Sequence, residues 1–309
     1  MALKPTKNIW FNGELVPWES AQIHVLSYAL HYGSAVFEGI RAYSTNNGTK
    51  IFRLDEHIKR LFNSAKIYRM NIAYNQQEIM EACKTIITTN ELNTGAYIRP
   101  IAFRGYNDLG LHASKDDDVE LVVAAWEWGT LLGADALENG VDVGVSSWNR
   151  NAPNTIPVMA KASGNYLSGT LVAIEAKDNG YDEGICLDSD GFVSEGSGEN
   201  IFMVKSSTLI TPPLSSSILD GITRDSVIQI AKYLNIECIE RRITREELYL
   251  ADELFFTGTA AEITPIKSVD RLTVGNGAKG PLTDQIQKIF FGLFDGTVSD
   301  EWGWLDSVK

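Results

Sequence analysis

Four short segments, in a fixed order along the chain, constrain its fold more than any other feature. Lys161 lies in Asn154-Thr-Ile-Pro-Val-Met-Ala-Lys-Ala-Ser-Gly-Asn-Tyr166, with apolar residues on both sides. An acidic, glycine-rich turn follows, Ser194-Glu-Gly-Ser-Gly-Glu-Asn200. Two Gly/Thr segments come next, Asp220-Gly-Ile-Thr-Arg-Asp225 and Thr257-Gly-Thr-Ala-Ala-Glu262. We therefore expect a fold that brings one amine, one carboxylate and two anion-binding turns to a common site.

These groups suit one kind of cofactor. A lysine forms a Schiff base with an aldehyde, and a carboxylate keeps a pyridine nitrogen protonated. Backbone N–H groups at the start of a helix bind a phosphate. Pyridoxal phosphate (PLP) contains all three partners, so the residues alone predict a PLP site.

Taken singly, each segment also has an ordinary structural interpretation. A lysine is most often solvated, and glycines are common in turns. The segments around Gly221 and Gly258 also suit helix caps. The interpretation as a cofactor site therefore depends on the occurrence of all four segments together, in this order, in one chain. No metal site is predicted, because no metal-binding spacing joins a second ligand to His24, His31, His57 or His112.

The composition disfavours several classes of partner. The formal net charge of −13 opposes binding to a phosphate backbone, so we expect no nucleic acid partner. Apolar runs such as Leu121–Trp126 are far shorter than a membrane span, and the first residues lack the apolar core of a signal peptide. The three widely spaced cysteines suit a reducing compartment. We expect a cytoplasmic protein that binds no membrane.

The first part of the chain has an α+β pattern. The strongest turn signal is Asn12-Gly13, which predicts a hairpin over 9–16. Asp55 is suited to cap a helix with an apolar face at Ile58, Leu61, Phe62 and Ala65. A second helix is predicted over 76–90, with strands at 50–53, 96–103 and 119–126. These elements predict a small α+β domain over residues 1–127.

A weak pattern follows, and then a second set of elements. The predicted interdomain linker is 128–138, and residues 139–309 form a predicted larger α/β domain that contains Lys161. Its predicted strands are 141–145, 184–187 and 200–204, and its predicted helices are 166–179 and 223–234. The second of these helices starts at Thr223, so its N-terminus is a ready anion site.

Several long motifs resemble one family nearly end to end. They are Ile9-Trp-Phe-Asn-Gly13, His31-Tyr-Gly-Ser-Ala-Val-Phe-Glu-Gly39, Ser146-Ser-Trp-Asn-Arg-Asn-Ala-Pro-Asn154, Phe290-Phe-Gly-Leu-Phe294 and Trp302-Gly-Trp-Leu305. Through them the chain closely resembles the bacterial branched-chain amino acid aminotransferases, which are fold-type IV PLP enzymes. The resemblance implies an α+β, two-domain fold of the D-amino acid aminotransferase type.

The resemblance implies a role for individual residues in binding PLP. Lys161 matches the Schiff-base lysine, and Glu195 matches the partner of the pyridinium nitrogen. Tyr166 resembles the residue that hydrogen-bonds the cofactor's phenolic oxygen, and Leu219 resembles one that packs against the ring. The matches to phosphate binders are Arg60, Gly221, Ile222, Thr223, Gly258 and Thr259. The matches to the turn beside the ring are Gly198, Glu199 and Asn200.

The resemblance also implies a substrate pocket. Tyr97 and Arg99 match the pair that handles substrate carboxylates, helped by the N–H groups of Thr259 and Ala260. The matches to the walls of the side-chain pocket are Phe37, Trp128 and Tyr166. Tyr32 and Leu111 resemble residues that a second subunit contributes, so we expect a homo-oligomer, either a dimer or a trimer of dimers.

At two positions, helical periodicity or the residue type disagrees with the family resemblance. Arg60 points about 200° from Ile58 on a helix, so periodicity alone predicts a solvated arginine, and only the resemblance makes it a phosphate ligand. Leu131 stands where close relatives have Tyr, and the loop 107–113 also differs from theirs. These departures concern the preference among substrates, and Leu131 is therefore included in the predicted substrate-binding set.

The expected reaction is transamination between branched-chain L-amino acids (leucine, isoleucine and valine) and 2-oxoglutarate, giving 2-oxo acids and L-glutamate. Alternatives of the same fold type are a D-amino acid or amine transaminase and an aminodeoxychorismate lyase, and Tyr97-Ile-Arg99 disfavours them. Two alternatives belong to other classes. One is a cofactor-binding protein without turnover, and the other is an enzyme that uses Lys161 on a sugar-like aldehyde.

Overall fold

The structure is a computed structural model of one chain, and it describes residues 3–106, 109–112, 118–129, 132–133 and 135–308. The chain divides into two compact units. The first unit comprises Met1–Trp128, Ala160–Gly164 and Phe294–Lys309. The second comprises Gly129–Met159 and Asn165–Leu293.

Strands and helices are numbered in chain order. The strands are β1 Asn8–Phe11, β2 Glu14–Pro17, β3 Ala35–Phe37, β4 Ile40–Thr45, β5 Gly48–Phe52, β6 Ala96–Arg104, β7 Val119–Trp126, β8 Val141–Val145, β9 Glu183–Leu187, β10 Val193–Gly196, β11 Asn200–Lys205, β12 Thr208–Thr211, β13 Cys238–Glu240, β14 Glu253–Gly258, β15 Glu262–Val269, β16 Leu272–Thr273 and β17 Leu305–Ser307. The α-helices are α1 Tyr28–Tyr32, α2 Leu54–Ile67, α3 Gln76–Thr89, α4 Ala136–Asn139, α5 Tyr166–Asp178, α6 Ile222–Tyr233, α7 Arg245–Tyr249 and α8 Pro281–Asp295. Among the described residues, none of these helices combines the length and apolar character that a membrane span requires.

The first unit is built on an antiparallel sheet. Its strand order is β17-β5-β4-β6-β7-β1-β2, and β3 pairs with β6. Because side chains alternate along a strand, Ile98 and Ala102 of β6 enter the core under α2 and α3, whereas Tyr97 and Arg99 lie on the opposite face. One face of β6 is therefore available for chemistry.

The helices of the first unit begin with different caps. In α3 the Asn75 side chain accepts from the Glu78 N–H while Glu78 accepts from the Asn75 N–H, a complete capping box. The predicted cap of α2 at Asp55 is wrong. Arg53, in a left-handed conformation, precedes the helix, and its N–H donates to the Trp304 carbonyl (2.7 Å). This contact with the distant C-terminal segment sets the start of α2, and Asp55 lies in its first turn.

The second unit is built on a mixed sheet. Its strand order is β10-β9-β8-β15-β14-β11-β12-β13, and β16 pairs with β15. Strand β8 runs parallel to both β9 and β15, and β12 runs parallel to β13, whereas the other pairs are antiparallel. Its core contains Ile185, Ile201 and Phe256. Strands β10, β11 and β14 contribute the turns that the sequence analysis selected.

The boundaries of the two units differ from those of the predicted domains at two segments of the chain. The prediction places all of 139–309 in the larger domain, but 160–164 and 294–309 group with the first unit. The reason is backbone pairing over long sequence separation. Ala162 forms a bridge with Val36, and Leu305 to Ser307 pair with β5. Lys161 therefore belongs to the first unit.

Candidate active site

The backbone of Lys161 is fixed to the first unit on both sides. Its N–H donates to Ser64 Oγ (2.9 Å), and its carbonyl oxygen accepts from the Phe37 N–H (3.0 Å). Ala160 and Ala162 are both buried. The Lys161 Nζ lies 4.9 Å from the centroid of the Phe37 ring. The apolar neighbours of Lys161 thus anchor the segment that presents the amine.

A buried charged cluster lies on the same unit, formed by Glu38, His57 and Arg60. The two Glu38 carboxylate oxygens accept from Arg60 Nε (2.7 Å) and Nη2 (2.9 Å). His57 Nδ1 lies 2.7 Å from Glu38 Oε2. His57 and Arg60 are three residues apart on α2, so both reach the residue that follows β3. Glu38 is fully buried and holds both side chains in place.

Electrostatics define the charge states in this cluster. Burial raises the pKa of Glu38, but Arg60 and His57 lower it by more, so its pKa lies well below the usual range. Burial lowers the pKa of His57, and the hydrogen bond to Glu38 offsets this only in part. Glu38 is therefore an anion and His57 is neutral at pH 7. Nδ1–H is then the donor to Glu38.

The prediction from periodicity that Arg60 is solvated is wrong. Its side chain is only 13% exposed because it folds back onto Glu38, which lies outside α2. A helical wheel registers only the neighbours on the same helix, so it does not detect this partner. The bidentate pair fixes the orientation of the guanidinium, which is what a phosphate ligand requires.

Glu38→Gln is expected to lower the free energy of unfolding by about 2 kcal/mol at pH 7, because the buried Arg60 then lacks its charged partner. The pKa of Glu38 is depressed, so its contribution is complete above the unfolded value of 4.5 and is lost as the pH falls through the folded value. Urea unfolding between pH 7.5 and pH 4 measures the difference between the two proteins. A difference that stays constant down to pH 4 contradicts the assignment.

His57→Gln is the matched control. The pKa of His57 is also depressed, so its contribution is complete above 6.5 and is lost as the pH falls below that value. The variant should therefore remove only the part of the acid destabilisation that begins near pH 6.5 and leave the part that begins near pH 4.5.

An aromatic patch covers the second face of β6. Tyr97 lies opposite Trp126 of β7, and Trp128 packs on Tyr97 with ring centroids 5.2 Å apart. Arg99 donates from Nη2 to Tyr97 Oη (3.3 Å), and its guanidinium carbon lies 4.7 Å from the Phe37 ring centroid. A Cβ at Gly39 would be 1.9 Å from Tyr97 Oη, so only glycine leaves room for this phenol. The structure thus brings together four predicted substrate residues, Phe37, Tyr97, Arg99 and Trp128.

In the second unit, Glu195 is buried, and its polar partners include Arg150, Asn200 and Leu219. Arg150 Nη2 donates to one carboxylate oxygen (2.5 Å). Asn200 Nδ2 (2.9 Å) and the Leu219 N–H (3.1 Å) donate to the other. Burial lowers the pKa of Arg150, but the charges of Glu195, Cys186 and Tyr166 and the hydrogen bond to Glu195 together outweigh it, so the pKa of Arg150 is raised. Arg150 is therefore a permanent cation beside Glu195.

Close backbone approach connects the predicted PLP residues of this unit. A Cβ at Gly221 would lie 1.9 Å from Asn200 Oδ1, so glycine is required there. Tyr166, the first residue of α5, lies beside Gly198, because a Cβ at Gly198 would be 3.8 Å from its ring. Similarly, Gly258 borders Glu199, with 3.6 Å between its Cβ position and Glu199 Cγ. Three of the four segments singled out in the sequence, 194–200, 220–225 and 257–262, thus meet within the second unit.

The N-terminus of α6 has the features of an anion site. Gly221 is its N-cap and has no side chain of its own to cap the helix. Ile222 and Thr223 form its first turn, and both are buried. Thr259 and Ala260 lie between β14 and β15 and are half-buried. No group of three His, Cys, Asp or Glu in the described part of the chain is placed to hold a metal ion.

Three predicted residues are not placed in these clusters. Tyr32 is 43% exposed and Leu111 is 81% exposed, both in the first unit. Leu131 lies outside the described residues, as do 107, 108 and 113 of the loop 107–113. Their predicted roles remain predictions.

Two buried residues that no sequence pattern predicted lie beside predicted site residues in the structure. Glu38 holds Arg60, and Arg150 pairs with Glu195. Both residues stand inside motifs that carry the family resemblance, 31–39 and 146–154. For Glu38, the available signal was a carboxylate directly after the apolar run Ala35-Val-Phe37, but nothing in the spacing identified the partner of either residue.

Known proteins match this chain over most or all of its length. A family model for class IV amino-transferases matches residues 35–269. The branched-chain-amino-acid aminotransferase of Escherichia coli (strain K12) is 55% identical over 309 residues, with 100% of both chains covered. The match therefore includes the Lys161 segment, the Glu195 turn and both Gly/Thr segments.

Solved structures match equally well. A crystal structure of the Escherichia coli branched-chain amino acid aminotransferase has a TM-score of 0.97 at 55% identity, and the match covers 98% of this chain and 100% of that one. The T.th. enzyme of the same name, with pyridoxamine 5'-phosphate, has a TM-score of 0.95 at 45% identity, with 100% of both chains covered. That enzyme was also solved with N-(5'-phosphopyridoxyl)-L-glutamate and with 4-methylvaleric acid. By these matches, the chain belongs to the class IV aminotransferases and, within them, to the branched-chain-amino-acid aminotransferases.

Proposed function

We propose that the protein catalyses PLP-dependent transamination of the branched-chain L-amino acids leucine, isoleucine and valine, with 2-oxoglutarate as the amino acceptor. The observation that carries the proposal is Lys161, half-buried and anchored by its backbone, in a chain 55% identical over its full length to a branched-chain-amino-acid aminotransferase. PLP, when bound, supplies an aldehyde that reacts with amines and a ring that withdraws electrons.

The residues fit this cofactor. PLP needs a base or nucleophile, an anion beside its ring nitrogen and donors for its phosphate. Lys161 of the first unit is the nucleophile, and the second unit supplies the other two groups, with the buried Glu195 carboxylate and the helix start at Gly221 both contacting Asn200. Arg60 is pre-oriented by Glu38. The T.th. relative contains pyridoxamine 5'-phosphate, which supports the same choice.

Lys161 has two roles in the proposal. Its Nζ is the nucleophile that holds the cofactor covalently, and, once released, it moves the proton that leaves the substrate Cα. The fixed backbone of Lys161 limits the amine to the range of its own side chain. This restraint keeps the base within reach of one carbon atom.

Glu195 faces the pyridine nitrogen in the proposal and favours its protonated form. Arg150 and Asn200 orient the carboxylate. Tyr166 donates to the phenolic oxygen, and Leu219 packs against the ring. The backbone of Gly198, Glu199 and Asn200 passes beside it.

Phosphate binding is assigned to three sets of donors. Arg60 supplies charge and planar geometry. The α6 N-terminus supplies N–H groups from Ile222 and Thr223, and its dipole favours an anion. Gly258 and Thr259 complete the proposed set.

Substrate binding is assigned to residues that handle carboxylates and residues that form apolar walls. Tyr97 and Arg99, with the N–H groups of Thr259 and Ala260, bind carboxylates. The proposed walls are Phe37, Trp128, Tyr166 and Leu131. Both kinds of ligand occur in the T.th. relative, which was solved with a glutamate adduct and with 4-methylvaleric acid. This supports a pocket that accepts glutamate and a leucine-like side chain in turn.

We also propose a homodimer, or a trimer of dimers, in which Tyr32 and Leu111 contribute to the neighbouring subunit's site. Their exposure, with that of Val25 and Leu30, leaves apolar surface that a second copy would cover. Sedimentation should show no active monomer. A cytoplasmic location is proposed from the three cysteines, which form no disulfide.

A half-reaction panel tests the proposed activity. The holoenzyme is mixed separately with L-leucine, D-leucine, an amine and L-glutamate, and the cofactor absorbance is followed. We expect rapid changes with L-leucine and L-glutamate only. A response to D-leucine or to the amine alone would favour the related fold-type IV transaminases, and release of pyruvate from aminodeoxychorismate would favour the lyase.

A further inference from the structure

Buried hydrogen-bond donors cluster on the Tyr97 face of the first sheet. The indole cluster consists of Tyr97, Arg99, Trp126 and Trp128. The Tyr97 ring centroid lies 5.4 Å from that of Trp126, and the two indole rings are 6.1 Å apart. The Arg99 guanidinium carbon lies 6.0 Å from the Trp126 centroid. Trp126, which the sequence analysis treated only as the end of a strand, is therefore in contact with the predicted carboxylate-binding pair.

Three buried N–H groups of the indole cluster have no hydrogen-bond partner among the described residues: Arg99 Nε, Trp126 Nε1 and Trp128 Nε1. Guanidinium and indole groups only donate. Tyr97 Oη already accepts from Arg99, so its own proton remains to be donated. Buried donors are normally paired. The cluster is thus complementary to a group with several acceptors and no donor, which describes a carboxylate.

No carboxylate of the described chain fills this role. Arg99 forms no ion pair with a described Asp or Glu, and its charge is instead held against the rings of Phe37, Tyr97 and Trp126, at 4.7, 5.4 and 6.0 Å. Cation–π contact positions a guanidinium without using its N–H groups. The Arg99 guanidinium and the neighbouring Trp126 indole N–H are therefore available to bind a ligand carboxylate.

The register of β6 indicates which ligand carboxylate reaches Trp126. The Lys161 carbonyl accepts a hydrogen bond from the Phe37 N–H, and Phe37 pairs with Ile101 of β6. Trp126 of β7 pairs with Tyr97 of β6. The two levels are four residues apart on β6, and Arg99 lies between them, with its guanidinium carbon 4.7 Å from the Phe37 ring centroid and 6.0 Å from that of Trp126. Lys161 Nζ lies 4.9 Å from the Phe37 centroid, so the substrate carbon on which it acts lies on the Phe37 side of Arg99 and the indole lies on the other side. A carboxylate at the far end of the substrate side chain is better placed than the α-carboxylate.

We propose that Trp126 is a specificity-determining residue whose Nε1–H donates to the distal carboxylate of glutamate and 2-oxoglutarate beside Arg99. A leucine side chain offers this donor no acceptor, so the bond contributes only to the dicarboxylate half reaction. The inference rests on the proposed function, because it assigns the recognition of the second substrate within the same site.

Trp126→Phe tests the inference, because it removes the N–H and keeps an aromatic ring. In stopped-flow half reactions, we expect kcat/KM for L-glutamate to fall by about 10-fold to 100-fold, as for the loss of one hydrogen bond to a charged group, with L-leucine within about twofold of the parent. Trp10→Phe is the control, since Trp10 is equally buried (8% exposed, as is Trp126) but packs in the core against Tyr74. It should leave the ratio of the two substrates unchanged.

Two results would overturn the inference: an unchanged ratio in Trp126→Phe, or an equal loss with both substrates, which would place the indole at the α-carboxylate. Failure of the proposed function looks different, because the unmodified protein would then react with neither amino acid. The reaction of the unmodified protein with L-leucine and L-glutamate therefore separates a failure of the inference about Trp126 from a failure of the proposed function.

A measurement on the unmodified holoenzyme covers the case in which Trp126→Phe does not fold. Indole N–H groups are observed by NMR with ¹⁵N-labelled tryptophan, and Trp128→Phe identifies the signal of Trp128. Glutarate, a dicarboxylate without the amine, should move one further indole proton downfield, and 4-methylvalerate should not. A spectrum in which no indole proton other than that of Trp128 responds to glutarate contradicts the assignment.

Discussion

Lys161→Ala is expected to abolish steady turnover, with a loss of more than about 10⁴-fold, because one side chain supplies both the covalent link to the cofactor and the base. The fold should persist. The anchors of this segment are the backbone bonds to Ser64 and Phe37, which alanine retains. PLP should remain bound through its phosphate and ring contacts. Half-reaction absorbance and the PLP content of the purified variant measure both expectations.

Borohydride provides the complementary test in the parent protein, since it fixes the cofactor to the lysine that holds it. Peptide mapping should find the label on Lys161. Lys279→Ala is the control, because Lys279 is also largely buried but pairs with Glu138 and Asp284. This control should retain parental turnover and labelling. A label on any other lysine, or turnover by Lys161→Ala at more than a few per cent of the parent, would remove Lys161 from its role.

Local signals in the sequence predicted most of the elements near the site. The Asn12-Gly13 turn joins β1 to β2, and the predicted strands at 96–103 and 119–126 are present as β6 and β7. The predicted helices at 76–90 and 223–234 are present within one residue at each end. Apolar periodicity decides such elements because burial of one face stabilises them. The resemblance to fold-type IV aminotransferases is also confirmed, by matches over the whole chain.

Contacts between distant parts of the chain were beyond these signals. Arg53 precedes α2 because it meets Trp304, and Arg60 is buried because it meets Glu38. Contacts that join Lys161 to the first unit include the β-bridge of the next residue, Ala162, with Val36 and the backbone hydrogen bonds to Ser64 and Phe37. Each pairing depends on chain topology, and periodicity within one element holds no information about it. The buried charges Glu38 and Arg150 were missed for the same reason.

Glu195 and Glu183 are both buried glutamates of the second unit, but their environments differ. Glu195 accepts from the cation Arg150 and from Asn200. Glu183 accepts from the Gly184 N–H, and burial raises its pKa. A buried carboxylate with a raised pKa gains little from its charge. The two residues therefore form a matched pair for testing what the charge at 195 contributes.

Glu195→Gln is expected to slow proton transfer from the substrate Cα by about 10²-fold to 10³-fold, comparable to the loss of one preorganised electrostatic contact in other enzymes. The amide no longer favours a protonated ring nitrogen, so the loss should appear in the half reaction with saturating PLP and with either leucine or glutamate. Glu183→Gln should stay within about threefold of the parent in the same assay. If Glu195→Gln transaminates at the parental rate both with and without added PLP, Glu195 serves the turn at 194–200 and not the chemistry. A loss that disappears on adding PLP would instead assign Glu195 and Arg150 to cofactor affinity.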